Sequence, residues 1–550
     1  MAGQLRSAAF LVRTFVMTAA ALVAAVVLYV LFTLPPRAVV FDAALPPTVV
    51  YGAYHVHTTR SDGTSSPDEV ALAAARAGLS FVIFTDHGDA TRQPDPPTYR
   101  HGVLCLDAVE ISSDQGHIVA IGLGGASPYP LGGAARDVAE DVHRQGGWVV
   151  LAHPDSPREE LRWTGRDVPM DGIEWLNADS EWRDEAPRHL LMTAARSLFR
   201  APEAVASLFS RPARTLRRWD TAAARRSTIG LAAIDAHSRW PGYDRLFRVL
   251  AQAVVLEAPL GGDAGVDGAA VLDALARAHT FSIIRALAGP AVLEWRATTG
   301  VREFTAGDRL PAGEAVTFQA RVPQAPGVVI RLLRDGVEVA TGRGSLVRTG
   351  PAAPGAYRVE ADYPTATVPW IVSNPIYVGE PVVPPPAAPL ADVPLLPLDA
   401  ADWRLEHDAA STGTVTVEDG WRRFGYALGR GVPAGQYAAL VTDTPPETGF
   451  DRIRFTARAD RPMRVSVQVR LPGGPDGQRW RRSVYLDATP RTLVVPLEDL
   501  EPVGMDSTQR PVVARINSLL FVVDTVNTST GAEGTVWIRD AALGVGTPGG

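Results

Sequence analysis

The longest apolar run in the chain lies near its start. Thr14–Leu34 contains 21 residues without a charge and is rich in Val, Leu and Ala, and a helix of that length can cross roughly 30 Å of hydrocarbon. Arg6 and Arg13 precede it and no acidic residue does, so the positive-inside rule puts residues 1–13 in the cytoplasm and the rest outside. We therefore predict a membrane-anchored, extracytoplasmic protein. The alternative is a signal peptide that is cleaved to release a secreted protein.

After a Pro-rich linker at 35–50, short apolar runs alternate with helical patterns up to residue 287. The runs of strand length are Ser80–Thr85, Gly147–Ala152, Gly172–Leu176 and Gly230–Ile234, and the helical patterns are Pro67–Ala77, Ala134–Gln145 and Ala269–Ala278. Such alternation predicts an α/β domain with a parallel sheet or barrel. Trp182–Arg226 is a longer helical insertion whose basic side is typical of a solvated face.

The pattern changes to a period of two after residue 289. Residues 290–378, with runs such as Val316–Val322, predict a small immunoglobulin-like β-sandwich. Residues 379–397 form a Pro-rich linker, because Glu380–Pro397 has seven prolines in eighteen residues. Residues 398–547 are again β-rich and predict a jelly roll.

Composition narrows the function classes. The net charge is −7 and no basic run is interleaved with aromatic residues, so we expect no nucleic-acid partner. Cys105 is the only cysteine, which excludes an intrachain disulfide. Since Val103, Leu104 and Leu106 surround it, we interpret Cys105 as a small buried hydrophobe and not as a nucleophile.

Histidine and carboxylate residues gather at the ends of the apolar runs in 51–287. If His55 and His57 lie on one strand, their i, i+2 spacing turns both imidazoles to one side, and active sites of barrels form at the C-terminal ends of strands. Six of the eleven histidines belong to this set. Imidazoles with carboxylates suit Zn, Mn or Fe, and so many ligands indicate two or three ions. The candidate metal ligands are His55, His57, Asp62, His87, Glu110, His117, His153, Asp235 and His237.

The order of these segments closely resembles that of the polymerase and histidinol phosphatase (PHP) family. The shared motifs are H-x-H, S-D-G, T-D-H, E with a following G-H, A-H-P and D-x-H, and the resemblance covers residues 51–287. It implies a distorted (β/α)7 barrel, two or three divalent ions and phosphoester hydrolysis. The exported architecture is similar to the CehA/McbA-type branch, and residues 369–375 resemble the end of the β-domain that follows the barrel there.

The same resemblance implies a role for each ligand. Glu110 would bridge two metals, and Asp62 stands where some family members have a histidine. Apart from the resemblance, Asp86 is a candidate for orienting a ligand histidine. Glu110, Asp235 and Asp86 would thus be the catalytic residues. The implied sets are His55, His57, Glu110 and Asp235 for one metal, Glu110, His117 and His153 for a second, and Asp62, His87 and His237 for a third.

The sequence leaves the reaction open between three hypotheses. A water shared by two ions would ionise near neutral pH and attack phosphorus, which favours a phosphoesterase acting on a small or envelope-derived substrate. Arg158 and Arg162 are candidate phosphate contacts or else part of a solvated loop, and Asn177 is a candidate for orienting a ligand or else a cap. The second hypothesis is a carbamate, amide or ester hydrolase at the same metals. The third is a non-catalytic envelope scaffold.

The last β domain loosely resembles galactose-binding-like carbohydrate modules. The likeness lies in Leu519–Asp524 and Gly534–Asp540. Trp403, Trp421 and Trp480 are candidates for stacking on a sugar, although core packing explains a tryptophan in a β-sandwich equally well. Glycan binding is therefore a second predicted partner interaction.

Overall fold

The structure is a computed structural model that describes residues 2–547, apart from 43, 166–167, 239, 301, 365, 382–390, 399–401, 432–434, 446–448 and 506–508. Its eight helices in the described part are α1 (Ala2–Phe32), α2 (Pro67–Arg76), α3 (Ala135–Arg144), α4 (Ala178–Arg183), α5 (Pro187–Ala206), α6 (Ala213–Arg225), α7 (Tyr243–Leu246) and α8 (Ala264–Ala276). Within α1, the stretch Phe10–Phe32 is long and apolar enough to cross a membrane. It overlaps the predicted span Thr14–Leu34, and the helix ends two residues earlier than predicted.

The first eleven strands build the domain that contains the candidate ligands. They are β1 (Val39–Val40), β2 (Val49–Val56), β3 (Phe81–Phe84), β4 (Thr98–Arg100), β5 (Val103–Ser113), β6 (Gly116–Ile121), β7 (Trp148–Leu151), β8 (Gly172–Asn177), β9 (Ile229–Ala233), β10 (Ala251–Val255) and β11 (Thr280–Ile283). The predicted strand-like runs coincide with β3, β7, β8 and β9, and the predicted helical patterns with α2, α3 and α8.

Seven of these strands form a barrel in the order β2-β3-β5-β6-β7-β8-β9. All neighbouring pairs are parallel except those made by β6, which runs antiparallel to β5 and β7. The barrel closes where β9 returns to β2, because Val56 bridges Ala236 and the His57 N–H donates to the Ala236 carbonyl at 3.0 Å. Helices accompany the crossovers from β2 to β3, from β6 to β7 and from β8 to β9. The β5–β6 connection is a hairpin and needs none.

Local sequence explains why α2 begins where it does. The Ser66 side chain accepts the Glu69 N–H, and Glu69 accepts the Ser66 N–H, which is a capping box. Pro67 occupies the first helical position, where its missing N–H costs nothing. Val70 and Ala74 are buried against the barrel. Cys105 on β5 is also buried, and burial raises the pKa of its thiol to about 11.

Eleven strands lie among the described residues from 288 to 378; the first pairs with β1 and the rest form the two sheets of a β-sandwich. They are β12 (Ala288–Gly289), β13 (Glu294–Thr299), β14 (Arg302–Thr305), β15 (Arg309–Leu310), β16 (Ala315–Arg321), β17 (Val329–Arg334), β18 (Val337–Arg343), β19 (Ser345–Pro351), β20 (Gly355–Asp362), β21 (Ile371–Ser373) and β22 (Ile376–Val378). One sheet has the order β14-β13-β16-β19. The other continues into the barrel sheet, because β21 pairs with β11. Barrel and sandwich therefore share one hydrophobic core.

A buried ion network joins the helical insertion to the sandwich. The Arg358 guanidinium on β20 donates to Asp220 of α6 at 2.7 and 3.0 Å and to Glu360 at 2.6 Å. Arg211 and Arg331 also donate to Glu360. Burial raises the pKa of Glu360, but Arg211 and Arg358 outweigh it and hold that pKa below its usual value.

The remaining strands form a jelly roll of two antiparallel sheets. They are β23 (Ala391–Pro397), β24 (Trp403–His407), β25 (Thr412–Glu418), β26 (Trp421–Ala427), β27 (Tyr437–Asp443), β28 (Arg452–Ala459), β29 (Met463–Arg470), β30 (Arg479–Leu486), β31 (Arg491–Pro496), β32 (Glu501–Pro502), β33 (Ser518–Asp524) and β34 (Glu533–Thr547), with short 3₁₀ turns at Gly474–Asp476, Leu497–Asp499 and Val513–Arg515. Strand β23 lies in the range predicted as a linker and pairs with β34. Much of that predicted linker, 382–390, lies outside the described residues.

The jelly roll docks on the barrel through α3. Arg464 of β29 is fully buried, and its guanidinium donates to Asp141 at 2.7 and 2.9 Å and to the Asp137 carbonyl at 2.9 Å. Arg144 stacks over the Tyr485 ring at 3.7 Å. These contacts fix one outer face of the module against the domain that carries the candidate ligands.

We predict that Arg358→Ala destabilises the protein by about 3–5 kcal/mol, because it leaves Asp220 buried without its cation and removes one of the three arginines that contact Glu360. Thermal unfolding followed by tryptophan fluorescence would measure the change. The exposed Arg321→Ala is the control and should change stability by less than about 0.5 kcal/mol. Equal transition temperatures for the two variants would contradict the prediction.

Candidate metal centre

All nine predicted ligands converge at one end of the barrel. The ligands come from six strands or the loops after them: His55 and His57 at the end of β2, Asp62 in the following loop, His87 after β3, Glu110 within β5, His117 near the start of the antiparallel β6, His153 after β7, and Asp235 and His237 after β9. Three of them have a positive φ: His55 at 63°, His153 at 29° and Asp235 at 51°. Non-glycine residues adopt this conformation at a cost, and such residues cluster at functional sites. The regular alternation of side chains along a strand, which was expected to turn His55 and His57 to one side, therefore does not hold, because the backbone turns at His55.

Four ligand atoms of the first predicted metal group lie close together. The Nε2 atoms of His55 and His57 are 3.1 Å apart, and each is 3.2 Å from Glu110 Oε2. Asp235 Oδ1 lies 3.4 Å from His55 Nε2 and 3.5 Å from His57 Nε2. Ligands about 2.0–2.1 Å from a tetrahedral ion stand ~3.3 Å apart. The spacing thus fits a small divalent cation.

Glu110 uses its two oxygens toward two different groups. Its Oε1 lies 2.8 Å from His117 Nδ1 and 2.9 Å from His153 Nε2, while Oε2 faces His55 and His57. His87 Nδ1 is 3.3 Å from Oε2. A carboxylate divided in this way is suited to bridging two ions, as the sequence predicted for Glu110.

The third predicted group forms around Asp62. Its Oδ2 lies 3.2 Å from His237 Nε2 and 3.7 Å from His87 Nε2, and its Oδ1 lies 3.4 Å from His57 Nδ1. His57 therefore faces two groups through its two ring nitrogens. Asp62 is more than half exposed, so this group is the one nearest to solvent.

The charges of the cluster also fit a cation. Burial would raise the pKa of Glu110, but His55, His117 and His153 outweigh it and hold that pKa well below its usual value. Burial likewise opposes protonation of His57, yet Asp235 and Glu110 raise its pKa to about 9. The protonated imidazoles thus compensate the buried negative charge of the carboxylates. A bound divalent ion would compensate the same charge with less uptake of protons. The donor set of imidazoles and carboxylates suits Zn, Mn or Fe.

Glu174 on β8 is a functional candidate that the sequence reasoning missed. It is fully buried, its Oε1 lies 2.5 Å from His55 Nδ1, and its Oε2 accepts the His153 N–H at 2.8 Å. A carboxylate on the far nitrogen of a ligand histidine fixes its tautomer and orientation. The available signal was a lone acid inside the apolar run Gly172–Leu176. Asn177 donates to Glu174 and Asp235 and also caps α4, so both interpretations of it hold.

Asp86 does not contact a ligand histidine directly. Its carboxylate accepts the Thr58 N–H at 2.7 Å, the Thr58 hydroxyl at 2.8 Å and the Ser61 hydroxyl at 2.9 Å. Ser61 Oγ in turn is 3.4 Å from His57 Nδ1. Asp86 therefore holds the loop that precedes Asp62 and reaches His57 only through Ser61, because the loop folds between them.

A pocket of about 340 Å³ opens over the ligands, and Arg158, Leu161, Asp179 and Arg183 complete its lining. Arg158 is exposed, whereas Arg183 is paired with Asp179. Burial raises the pKa of Asp179, and the charge of Asp235 raises it further. Arg162 points elsewhere, since it donates to the Ser156 and Pro157 carbonyls. Of the two arginines singled out in the sequence, only Arg158 lines the pocket.

The three candidate sugar-stacking tryptophans have different environments. Trp480 is buried in the jelly-roll core, and Trp403 packs against that core beside Phe521. Trp421 is half-buried and lies under Arg539, at 4.3 Å from the guanidinium carbon to the ring centre. Core packing thus accounts for two of the three.

Comparison with known proteins gives weak likenesses. No family model matches the chain. An uncharacterized protein of Methanocaldococcus jannaschii is 27% identical over 141 residues, which cover 22% of this chain and 80% of that protein. A two-domain Bacteroides vulgatus protein, described as containing a predicted PHP-like metal-dependent phosphoesterase, aligns with 62% of this chain and 98% of its own at 14% identity and a TM-score of 0.30. The family 11 carbohydrate-binding module of Clostridium thermocellum Lic26A-Cel5E aligns with 29% of this chain and 96% of its own, at 14% identity and a TM-score of 0.24.

We predict that Glu174→Gln weakens binding of Zn or Mn by about 10- to 100-fold, because it removes the charge that orients His55. Isothermal titration of the metal-free full chain would measure the affinity. Glu181→Gln, which alters a half-buried carboxylate outside the cluster, is the matched control. Equal affinities for the two variants would show that Glu174 has no orienting role.

Proposed function

We propose that this chain is a metal-dependent phosphoesterase of the PHP type, with its site at the C-terminal ends of the barrel strands. The observation that carries the proposal is the contact of Glu110 with five histidines, at 2.8–3.3 Å, among carboxylates at metal-ligand spacing. The order of the six motifs in this sequence, from H-x-H to D-x-H, supports the same family. Two or three divalent ions, bound by the nine ligands, are part of the proposal.

The chain's own residues then have defined tasks. Bound ions would supply a water of lowered pKa and positive charge for the substrate oxygens. Glu110 would hold two of them at a fixed separation, and Glu174 would keep His55 in the orientation that ligation needs. The burial of Glu110 and Asp235 excludes bulk water from one side of the site, which strengthens each electrostatic interaction there.

Two arginines favour a phosphoester over an uncharged substrate. Arg158 has no side-chain hydrogen bond or ion pair with any described residue, and it lines the pocket beside the ligands. Arg183, held by Asp179, lines it as well. Guanidinium groups recognise phosphate oxygens through paired donors. A carbamate, amide or ester would leave the charge of Arg158 without a partner. A hydrolase acting on such substrates is therefore the alternative and not the first proposal.

The pocket volume bears on substrate size. About 340 Å³ lies at the lower end of the range for small-molecule sites. A compact phosphoester fits this space, whereas a polymer would have to present one end. We propose extracytoplasmic action, with α1 as the membrane anchor; cleavage of α1 as a signal peptide is the alternative. Glycan binding by the jelly roll stays a prediction. Trp480 is buried, so Trp403 and Trp421, which are half-buried, are the remaining candidates for stacking on a sugar.

We predict that Glu110→Ala and His55→Ala abolish metal-dependent hydrolysis and lower bound metal without unfolding the β domains. The full chain in detergent would be loaded with Mn or Zn, its metal content measured by mass spectrometry, and its turnover measured with p-nitrophenyl phosphate, bis(p-nitrophenyl) phosphate and p-nitrophenyl acetate. His189→Ala, on the exposed side of α5, is the matched control and should keep full activity.

Each result has a distinct meaning for the proposal. Phosphoester cleavage that depends on Glu110 supports it, and the preferred ester separates a mono- from a diesterase. Cleavage of the acetate alone would favour the carbamate, amide or ester hydrolase. A chain that binds no metal and turns over none of the three substrates would favour the scaffold hypothesis.

A further inference from the structure

A second large cavity lies at the opposite end of the barrel from the candidate metal centre. It has a volume of about 980 Å³, and Tyr51 near the start of β2 and Gly78 just before β3 are part of its wall. The metal-ligand candidates follow the other ends of the same strands. Six residues separate Tyr51 from His57, which corresponds to about 20 Å along a strand. The cavity is therefore separate from the proposed hydrolytic site.

Arginines dominate the charge of this cavity. Its lining contains two carboxylates, Glu203 and Asp244, against five arginines: Arg37, Arg200, Arg245, Arg248 and Arg285. Positive charge therefore exceeds negative charge by three in the lining. An excess of this kind attracts an anion.

Arg285, which is half-buried, and Arg248, which is exposed, donate to backbone carbonyls and not to carboxylates. Arg285 donates to the Phe247 carbonyl at 2.9 Å and the Ala77 carbonyl at 2.8 Å, and Arg248 donates to the Arg76 carbonyl at 2.6 Å. Burial lowers the pKa of Arg285; the nearby Tyr51 opposes this, and Arg248 lowers the pKa further. The backbone thus positions these guanidiniums while leaving their charge uncompensated.

Two further arginines face the cavity without a partner in the described residues. Arg37 and Arg245 are exposed, and neither side chain has a hydrogen bond or an ion pair to any residue that the structure describes. Arg37 follows directly on Pro35 and Pro36, at the end of the apolar helix α1. An anion entering the cavity would therefore meet Arg37 beside the point where α1 ends.

The surroundings of the cavity indicate a lipid surface. The helix α1 contacts α5, Val30 is buried there, and Arg200 of α5 donates to the Pro35 carbonyl at 2.5 Å. On α5, Leu191, Leu198 and Phe199 are exposed by 74%, 70% and 51%. Their spacing of seven and eight residues puts them on one stripe of the helix. A helix with such a stripe beside a membrane span is suited to lie in the lipid interface.

We propose that this cavity binds the phosphate of an anionic lipid headgroup, in the leaflet that α1 enters. Arginine forks recognise phosphate through paired donors, and basic pockets beside a membrane helix bind acidic headgroups. The inference rests on α1 being a membrane span and is independent of the proposed hydrolysis. Lipid bound here holds the barrel with its metal centre about 20 Å farther from the bilayer.

The test uses the full chain in detergent and native mass spectrometry during titration with phosphatidylglycerol. The double variant Arg37→Gln/Arg245→Gln should bind phosphatidylglycerol about 10- to 30-fold more weakly, as expected for losing two arginines at a lipid headgroup. Arg302→Gln/Arg321→Gln, two exposed arginines of the sandwich, is the matched control and should bind as the unmodified chain does. Metal content and hydrolysis should be unchanged in both, because none of the four arginines lies at the metal centre.

Two further titrations separate the possible sources of phosphate. Phosphatidylcholine, which has the phosphate but no net charge, should bind more weakly than phosphatidylglycerol, and inorganic phosphate at equal concentration should not displace it. Equal binding of the two lipids, displacement by inorganic phosphate, or undiminished binding by the Arg37/Arg245 variant would each overturn the proposal. If the unmodified chain binds phosphatidylglycerol but shows no hydrolysis, the result counts against the proposed function and leaves the lipid proposal standing.

Discussion

The candidate site depends on one shared carboxylate. Glu110 is buried and lies within 3.3 Å of five imidazoles that come from β2, β6 and the segments after β3 and β7. A buried charge of this kind is tolerated only if compensating groups surround it. The barrel must therefore close so that four separate strand ends meet at one point. Closure of β9 onto β2, through the Val56–Ala236 bridge, brings Asp235 and His237 to the same place.

The backbone is strained where the ligands converge. His55, His153 and Asp235 all have positive φ values, and the surrounding hydrogen bonds hold them there. Glu174 accepts the His153 N–H and contacts His55, while Asn177 joins Glu174 to Asp235. Strain at the ligands is thus offset by a buried polar group on β8, a strand that supplies no ligand itself.

Buried contacts tie the surrounding parts of the chain to the barrel. Arg358 ties the helical insertion to the sandwich, and Arg464 ties the jelly roll to α3. The continuous sheet through β11 and β21 adds a shared core. One end of the barrel strands then carries the imidazole and carboxylate cluster, and the other carries the arginine cavity beside α1. Because the strands separate these two sites, one domain can hold a cluster suited to cations at one end and a cavity suited to anions at the other.

The sequence by itself determined the residue types and their order: the apolar span at 14–34, the strand-like runs and the nine candidate ligands after them. These are local features, because strand ends and apolar periodicity depend on neighbouring residues. Only the tertiary structure decided that Glu174 contacts His55, that Asp86 binds the loop at Thr58, that Arg158 and not Arg162 lines the pocket, and that β21 extends the barrel sheet. Each of these depends on pairing between residues far apart in the chain and on backbone turns such as that at His55, which periodicity does not encode.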